Sequence, residues 1–111
     1  MALQSQNFIS AANTDITVAG NTVYIVPAAT KTTLFGVSVA NRSANVITAN
    51  VWISRSSVNY TIGNNVTIFP GSAFVPIGEE QKMTLLAADA IKVSASVAGS
   101  VDAILSGVEF A

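Results

Sequence analysis

Residues 32–54 constrain the fold more than any other stretch: two alternating runs, TTLFGVSVAN and VITANVWIS, flank the polar break RSAN. Such a pattern predicts a β-hairpin. Side chains alternate with period two along a strand, so pairing places Phe35, Val37 and Val39 on one face with Ile47, Ala49, Val51 and Ile53. That face is the expected core. The opposite face carries Gly36, Ser38, Thr48 and Asn50, together with two large apolar residues, Leu34 and Trp52.

Alternating runs bounded by turn residues recur along the rest of the chain. Asp15–Val18 and Thr22–Val26 read as strands around Ala19-Gly20-Asn21, and Pro27 ends the second. Val58, Tyr60 and Ile62 alternate up to Gly63-Asn64-Asn65, a turn signature, after which Val66–Phe69 forms a further strand. Pro70-Gly71 predicts a type II turn. Ser72–Ile77 resumes as a strand whose internal Pro76 places it at a sheet edge, and Gly78-Glu79-Glu80 is a surface turn. Met83–Ala90 has helical composition, but the run is short and Ile91, Val93 and Ala95 alternate with polar neighbours, so residues 81–97 read as strand, turn at Ala87–Asp89, strand. The last strand is Val101–Phe110, with Ile104, Val108 and Phe110 turned to the core and a bulge at Ser106-Gly107. Eight or nine short strands with no βαβ pattern predict an all-β, antiparallel β-sandwich in a jelly-roll-like order. The sandwich occupies residues 15–111. Residues 1–14 form an N-terminal arm, polar apart from Leu3, Phe8 and Ile9, that either orders against a neighbour or stays disordered.

Of the 111 residues only 10 % are charged, with a net charge of −1, whereas ordinary soluble domains carry about 25 %. Such a surface has little electrostatic protection against association. Lys31, Arg42, Arg55, Lys82 and Lys92 are scattered singly and make no basic stripe for phosphates, which argues against nucleic acid as a partner. There is no Cys and no His, so thiolate chemistry, disulfides and Ser-His-Asp catalysis are excluded, and no acidic run suits calcium. Glu79 and Glu80 point apart in a turn with nothing to desolvate them, and Asp89 reads as a turn residue accepting local N–H bonds. Asn41, Asn59 and Asn65 each begin a glycosylation-type triplet, here read as polar turn and strand residues. The N-terminus lacks the features of a signal peptide and no apolar run is long enough to span a bilayer, so the expectation is a protein made in the cytoplasm and left unprocessed, with no membrane partner. No enzyme, cofactor, metal or small-molecule substrate is expected.

Trp52 is the residue without an obvious place. It could form an aromatic platform for a sugar with Tyr60, pack under a loop on the second face of the domain, or lie at a subunit interface. The candidate interface residues are Leu3, Phe8, Ile9, Leu34, Trp52 and Tyr60.

The order TVYIVPA, TTLFGVSVAN, IFPGSA, QKMTLLAADAIKVSAS and VDAILSGVEF resembles small tailed-phage virion proteins over Thr22–Phe110. Where such relatives tend to have Gly before the Asp of the turn, this chain has Ala88, which speaks against a positive-φ turn there. The resemblance implies a bacteriophage virion structural protein, a capsid decoration or cement protein on the capsid exterior, made in the host bacterial cytoplasm. Its implied partners are the major capsid protein and itself, as a dimer or trimer. Tail, neck or fibre components are the nearer rival, and a receptor- or carbohydrate-binding module is the other.

Overall fold

The computed structural model describes residues 6–77 and 82–111. Among the described residues nine strands run in chain order: β1 (Gln6–Asn13), β2 (Asn21–Ile25), β3 (Lys31–Asn41), β4 (Ile47–Arg55), β5 (Val58–Ile68), β6 (Ala73–Ile77), β7 (Met83–Leu85), β8 (Ala90–Ala95) and β9 (Val101–Phe110). They make two antiparallel sheets, one of five strands ordered β1-β9-β3-β6 with β7 also on β3, the other of four strands ordered β2-β8-β4-β5. The all-β expectation holds.

The expected hairpin at 32–54 does not form. β3 pairs with β9, β6 and β7, whereas β4 pairs with β5 and β8. The polar break is an arch that carries the chain from one sheet to the other. The expected buried set holds apart from Phe35: Val37 and Val39 face Ile47, Ala49, Val51 and Ile53 across the core. Alternation reveals which side of a strand is dry, and a dry side looks the same whether its neighbour is in the same sheet or the facing one. Full burial of each Val, Leu or Ile contributes about 1.5–3 kcal/mol, so the core rather than the hairpin turn dictates the path.

Two corrections stem from one irregularity in β3. Its register against β9 shifts between Leu34 and Gly36, so Phe35 is an extra residue and the inward phase changes there. Leu34 is therefore fully buried and Phe35 is 36 % exposed, the reverse of the expected faces. The bulge foreseen at Ser106-Gly107 lies across the ladder, on β3. Gly107 is needed because a Cβ there would stand 2.4 Å from the Thr33 carbonyl oxygen. On β9 Val101, Ala103 and Leu105 point inward and Val108 is buried as expected, but Ile104 is exposed, not core.

Other boundaries also move. Gln6–Asn13, within the stretch read as an arm that orders against a neighbour or stays disordered, pairs with β9 of its own chain in unbroken register. Asp15–Val18 is not a strand: Ile16 is buried, but Asn21 Oδ1 accepts from Thr17 N and Thr17 Oγ1 from Gly20 N, local bonds that replace a ladder. Gly63-Asn64-Asn65 is not a turn but a bulged part of the continuous β5, with Asn65 N donating to Asn50 Oδ1 at 2.8 Å. The turn into β5 is Ser56-Ser57, with φ of 52° and 64°, the two left-handed residues of a type I′ hairpin. The type II turn at Pro70-Gly71 forms as expected, closed by Ser72 N to Phe69 O at 3.0 Å. Ala88 adopts φ 69° despite its Cβ, and Asp89 N donates to Leu86 O at 3.0 Å, so the positive-φ turn exists here too. The turn read at Gly78-Glu79-Glu80 lies outside the described residues.

Polar bonds close both ends of the sandwich, and those of Asn41 and Tyr24 cross from one sheet to the other. Near the β3–β4 arch, the buried Asn41 donates through Nδ2 to Asn45 O and to Ile68 O, at 2.7 and 2.9 Å, and its Oδ1 accepts from the amide and hydroxyl of Ser43. Arg42 pairs with Asp102 at 3.1 Å, and Thr14 Oγ1 donates to the same carboxylate. At the other end Tyr24 of β2 donates its hydroxyl to Glu109 of β9 and lies 2.8 Å from the Thr32 hydroxyl of β3. Asp89, 2 % exposed, accepts from Arg55 Nε and Nη2 and from the Leu86 amide.

Two predictions test these local features. Ala88→Gly removes the strain of a left-handed alanine at some cost in unfolded-chain entropy, and is expected to stabilise the protein by about 0.5–1 kcal/mol in urea unfolding. The second concerns pH. Hydrogen bonds from Arg55 hold the Asp89 carboxyl below its ordinary value of 3.8, so its stabilisation is complete above the ordinary aspartate range and is lost as pH falls through the folded pKa. Burial, then the bond to Glu109, pushes the Tyr24 hydroxyl from 10.0 up to about 12, so that contribution is complete below the ordinary tyrosine value and is lost as pH rises through the folded one. The urea midpoint should drop below about pH 4 and again above about pH 10, with Asp89→Asn flattening the acid limb and Tyr24→Phe the alkaline one.

Candidate interaction surfaces

The end pins occupy Arg42, Arg55, Asp89, Asp102 and Glu109 in bonds within the chain. Among the described residues the outer faces of the sandwich carry few charges, Lys31 and Asp102 on one and Lys92 on the other. On the outer face of the five-stranded sheet, register places Phe8, Ser10 and Ala12 of β1 beside Val108, Ser106 and Ile104 of β9. Gly36, Ser38 and Ala40 of β3 continue the same rows, and Val75 of β6 extends them. Lys31 and Asp102 stand at the two ends of this face. Between them it is apolar or hydroxylic and nearly flat, with a shallow depression of about 210 Å³ over Gly36, Ser38, Val75, Ile104 and Ser106. Phe8, 86 % exposed, is its largest projection.

The outer face of the four-stranded sheet has a different chemistry. Asn50, Trp52, Asn59, Thr61, Asn64 and Ser94 line a depression of about 210 Å³, rich in amides and hydroxyls. The Trp52 ring runs across this sheet onto the Gly20 turn, where a Cβ would stand 2.6 Å from Trp52 Cη2. Gly20 thus meets two demands, a φ of 106° and room for the ring. The indole Nε1 is buried without a hydrogen-bond partner.

The candidate interface residues do not converge. Leu3 lies outside the described residues. Phe8 projects from the outer face of the five-stranded sheet, whereas its neighbour Ile9 turns inward against the core. Leu34 is core and is corrected as an interface residue. Trp52 stands opposite Thr61 and Tyr60 opposite Ile53, so the two aromatics lie on opposite sides of the sheet. That register overturns their reading as one aromatic platform. Tyr60 remains 53 % exposed at the β5 edge, and the packing of Trp52 against a turn matches the loop reading of its role.

Ile104 and Val75 escape a sequence reading, because alternation counted back from Phe110 gives β9 the wrong phase and a strand at an edge gives no sign of which side is wet. The Arg55–Asp89 pair escapes it too, since its members are 34 residues apart. Among the described residues no three Asp, Glu, His or Cys side chains gather as a metal site would require. No protein-family model, no curated protein and no solved structure matches the chain.

Proposed function

We propose that the chain is a structural protein of a bacteriophage virion, a decoration or cement protein that binds the capsid exterior and bridges subunits of the major capsid protein. In this reading it is not an enzyme and works through its surfaces, as a self-associating domain made in the host cytoplasm. The observation that carries the reading is the outer face of the five-stranded sheet, which offers Phe8, Val75 and Ile104 among small residues and, among the described residues, charge only at its ends. A flat, apolar, charge-depleted patch is the composition of a buried interface core. The jelly-roll path belongs to the same reading. Counting β6 and β7 as one interrupted strand along β3, the chain changes sheet at every connection except the β4–β5 hairpin, in keeping with the double-sheet path of viral capsid domains.

A location in the tail, neck or fibre rests on the same kind of surface and differs in the partner. The carbohydrate-binding alternative lost its aromatic pair with the register of Trp52 and Tyr60. Cryo-electron microscopy of virions from the phage that encodes the chain tests the proposal. Density for the sandwich on the outer shell at capsomer junctions is the expected result. The double variant Val75→Asp and Ile104→Asp, folded by circular dichroism, should be lost from the particle at least tenfold. Density confined to tail, neck or fibre, or absence of the chain from virions, would contradict it.

A further inference from the structure

A β-sandwich has four sheet edges, and each open edge presents unpaired N–H and C=O groups that pair with any compatible strand unless something prevents it. Three edges here carry such devices. β6 is five residues long and contains Pro76. β2 is also five residues, with a register shift between Thr22 and Tyr24 and Pro27 soon after. β5 is long, but its pairing is interrupted around Gly63-Asn64-Asn65 and Asn65 has φ 50°. The fourth edge, β1, has none among the described residues: eight residues, QNFISAAN, without proline, charge or bulge, held to β9 in continuous register. In a chain whose other edges are blunted, β1 is the one built to accept another strand.

We infer that β1 pairs antiparallel with β1 of a second copy about a two-fold axis through Ser10, joining two five-stranded sheets into one. The occupant is argued from the strand's own pattern. An antiparallel pair of identical strands is self-complementary under two-fold symmetry, and residues directly opposite must share a face, which restricts the register. With Ser10 opposite itself, Phe8 on the outer face meets Ala12 of the second copy, and Ile9 on the inner face meets Ala11. Large stands against small on both faces. Asn7 meets Asn13, so two amides oppose each other where two like charges would have repelled. The pairing covers Phe8, the most exposed large apolar side chain among the described residues. This inference specifies the self-association that the proposed function expects, and rests on that reading only for the idea that the chain associates at all.

The chain has no cysteine, so a single introduced thiol reports proximity cleanly. Sedimentation of the wild-type protein should give a dimer. Ser10→Cys should cross-link to a covalent dimer under mild oxidation, whereas Ser56→Cys, in the distant β4–β5 turn, should not. Ser10→Lys, which sets two cations side by side across the axis, should raise the dimer dissociation constant at least tenfold while the circular dichroism stays unchanged. A monomeric wild type without the Ser10→Cys cross-link overturns the pairing, as does a dimer indifferent to Ser10→Lys. Monomers that still decorate particles would leave the virion role standing without this edge, and β1-paired dimers absent from virions would do the opposite.

Discussion

Asn41 makes the bond on which the arrangement of the two sheets turns. It ends β3, lies buried, and uses every side-chain donor and acceptor it has: both amide protons, to Asn45 O and Ile68 O, and an oxygen that accepts twice from Ser43. Its backbone is equally committed, donating to Ser72 O and accepting from Gly71 N. One side chain thus shapes the turn out of the five-stranded sheet and ties that turn to the end of β5 in the four-stranded one. Without it the buried Ile68 carbonyl would lack this partner, and an unpaired buried polar group costs about 1–3 kcal/mol.

The molecule is dry in the middle and polar at both ends. Ile16, Val39, Val51, Val93, Val101 and their neighbours fill the interior near the arch, and Leu34, Leu85, Ile91 and Leu105 fill it toward the other end. Beyond them, Asn41 and the Arg42–Asp102 pair close one mouth of the sandwich, and Tyr24, Glu109, Arg55 and Asp89 close the other. Of the charged groups, Glu109 bonds across the two sheets through Tyr24, whereas Arg42–Asp102 and Arg55–Asp89 each tie the end of one sheet. The two broad faces carry little charge, one apolar and flat, the other rich in amides. Such faces suit contact with protein better than chemistry on a small substrate, which is why the proposed role is an assembly role.

Much of this architecture is legible in the sequence. Period-two alternation locates the strands and most of the core, and Pro70-Gly71 names its turn. The features that are not legible share a cause: local signals do not carry long-range pairing. Val39 and Ala49 are both inward whether or not their strands are neighbours. The extra residue at Phe35 is invisible until Gly107 is seen against the Thr33 carbonyl, a contact between positions far apart in the chain. Ser56-Ser57 does the work expected of Asn-Gly, and Gly63-Asn64-Asn65, which looks like a turn, is absorbed by a bulge because β4 continues alongside it. Trp52 stands out in the sequence as an unusual residue, but its role depends on Gly20, which only the fold brings beneath it. The surfaces are the least legible part, since nothing local distinguishes an apolar residue facing a core from one facing a partner.

The joining of the two sheets depends most heavily on the arch, and urea unfolding of Asn41→Ala beside wild type tests it most directly. Loss of the side chain strips partners from Ser43, Asn45 and Ile68 at once, so a destabilisation of about 2–4 kcal/mol is expected, with the m-value unchanged. A variant within about 0.5 kcal/mol of wild type, the range of ordinary surface substitutions, would contradict the claim that Asn41 fastens one sheet to the other.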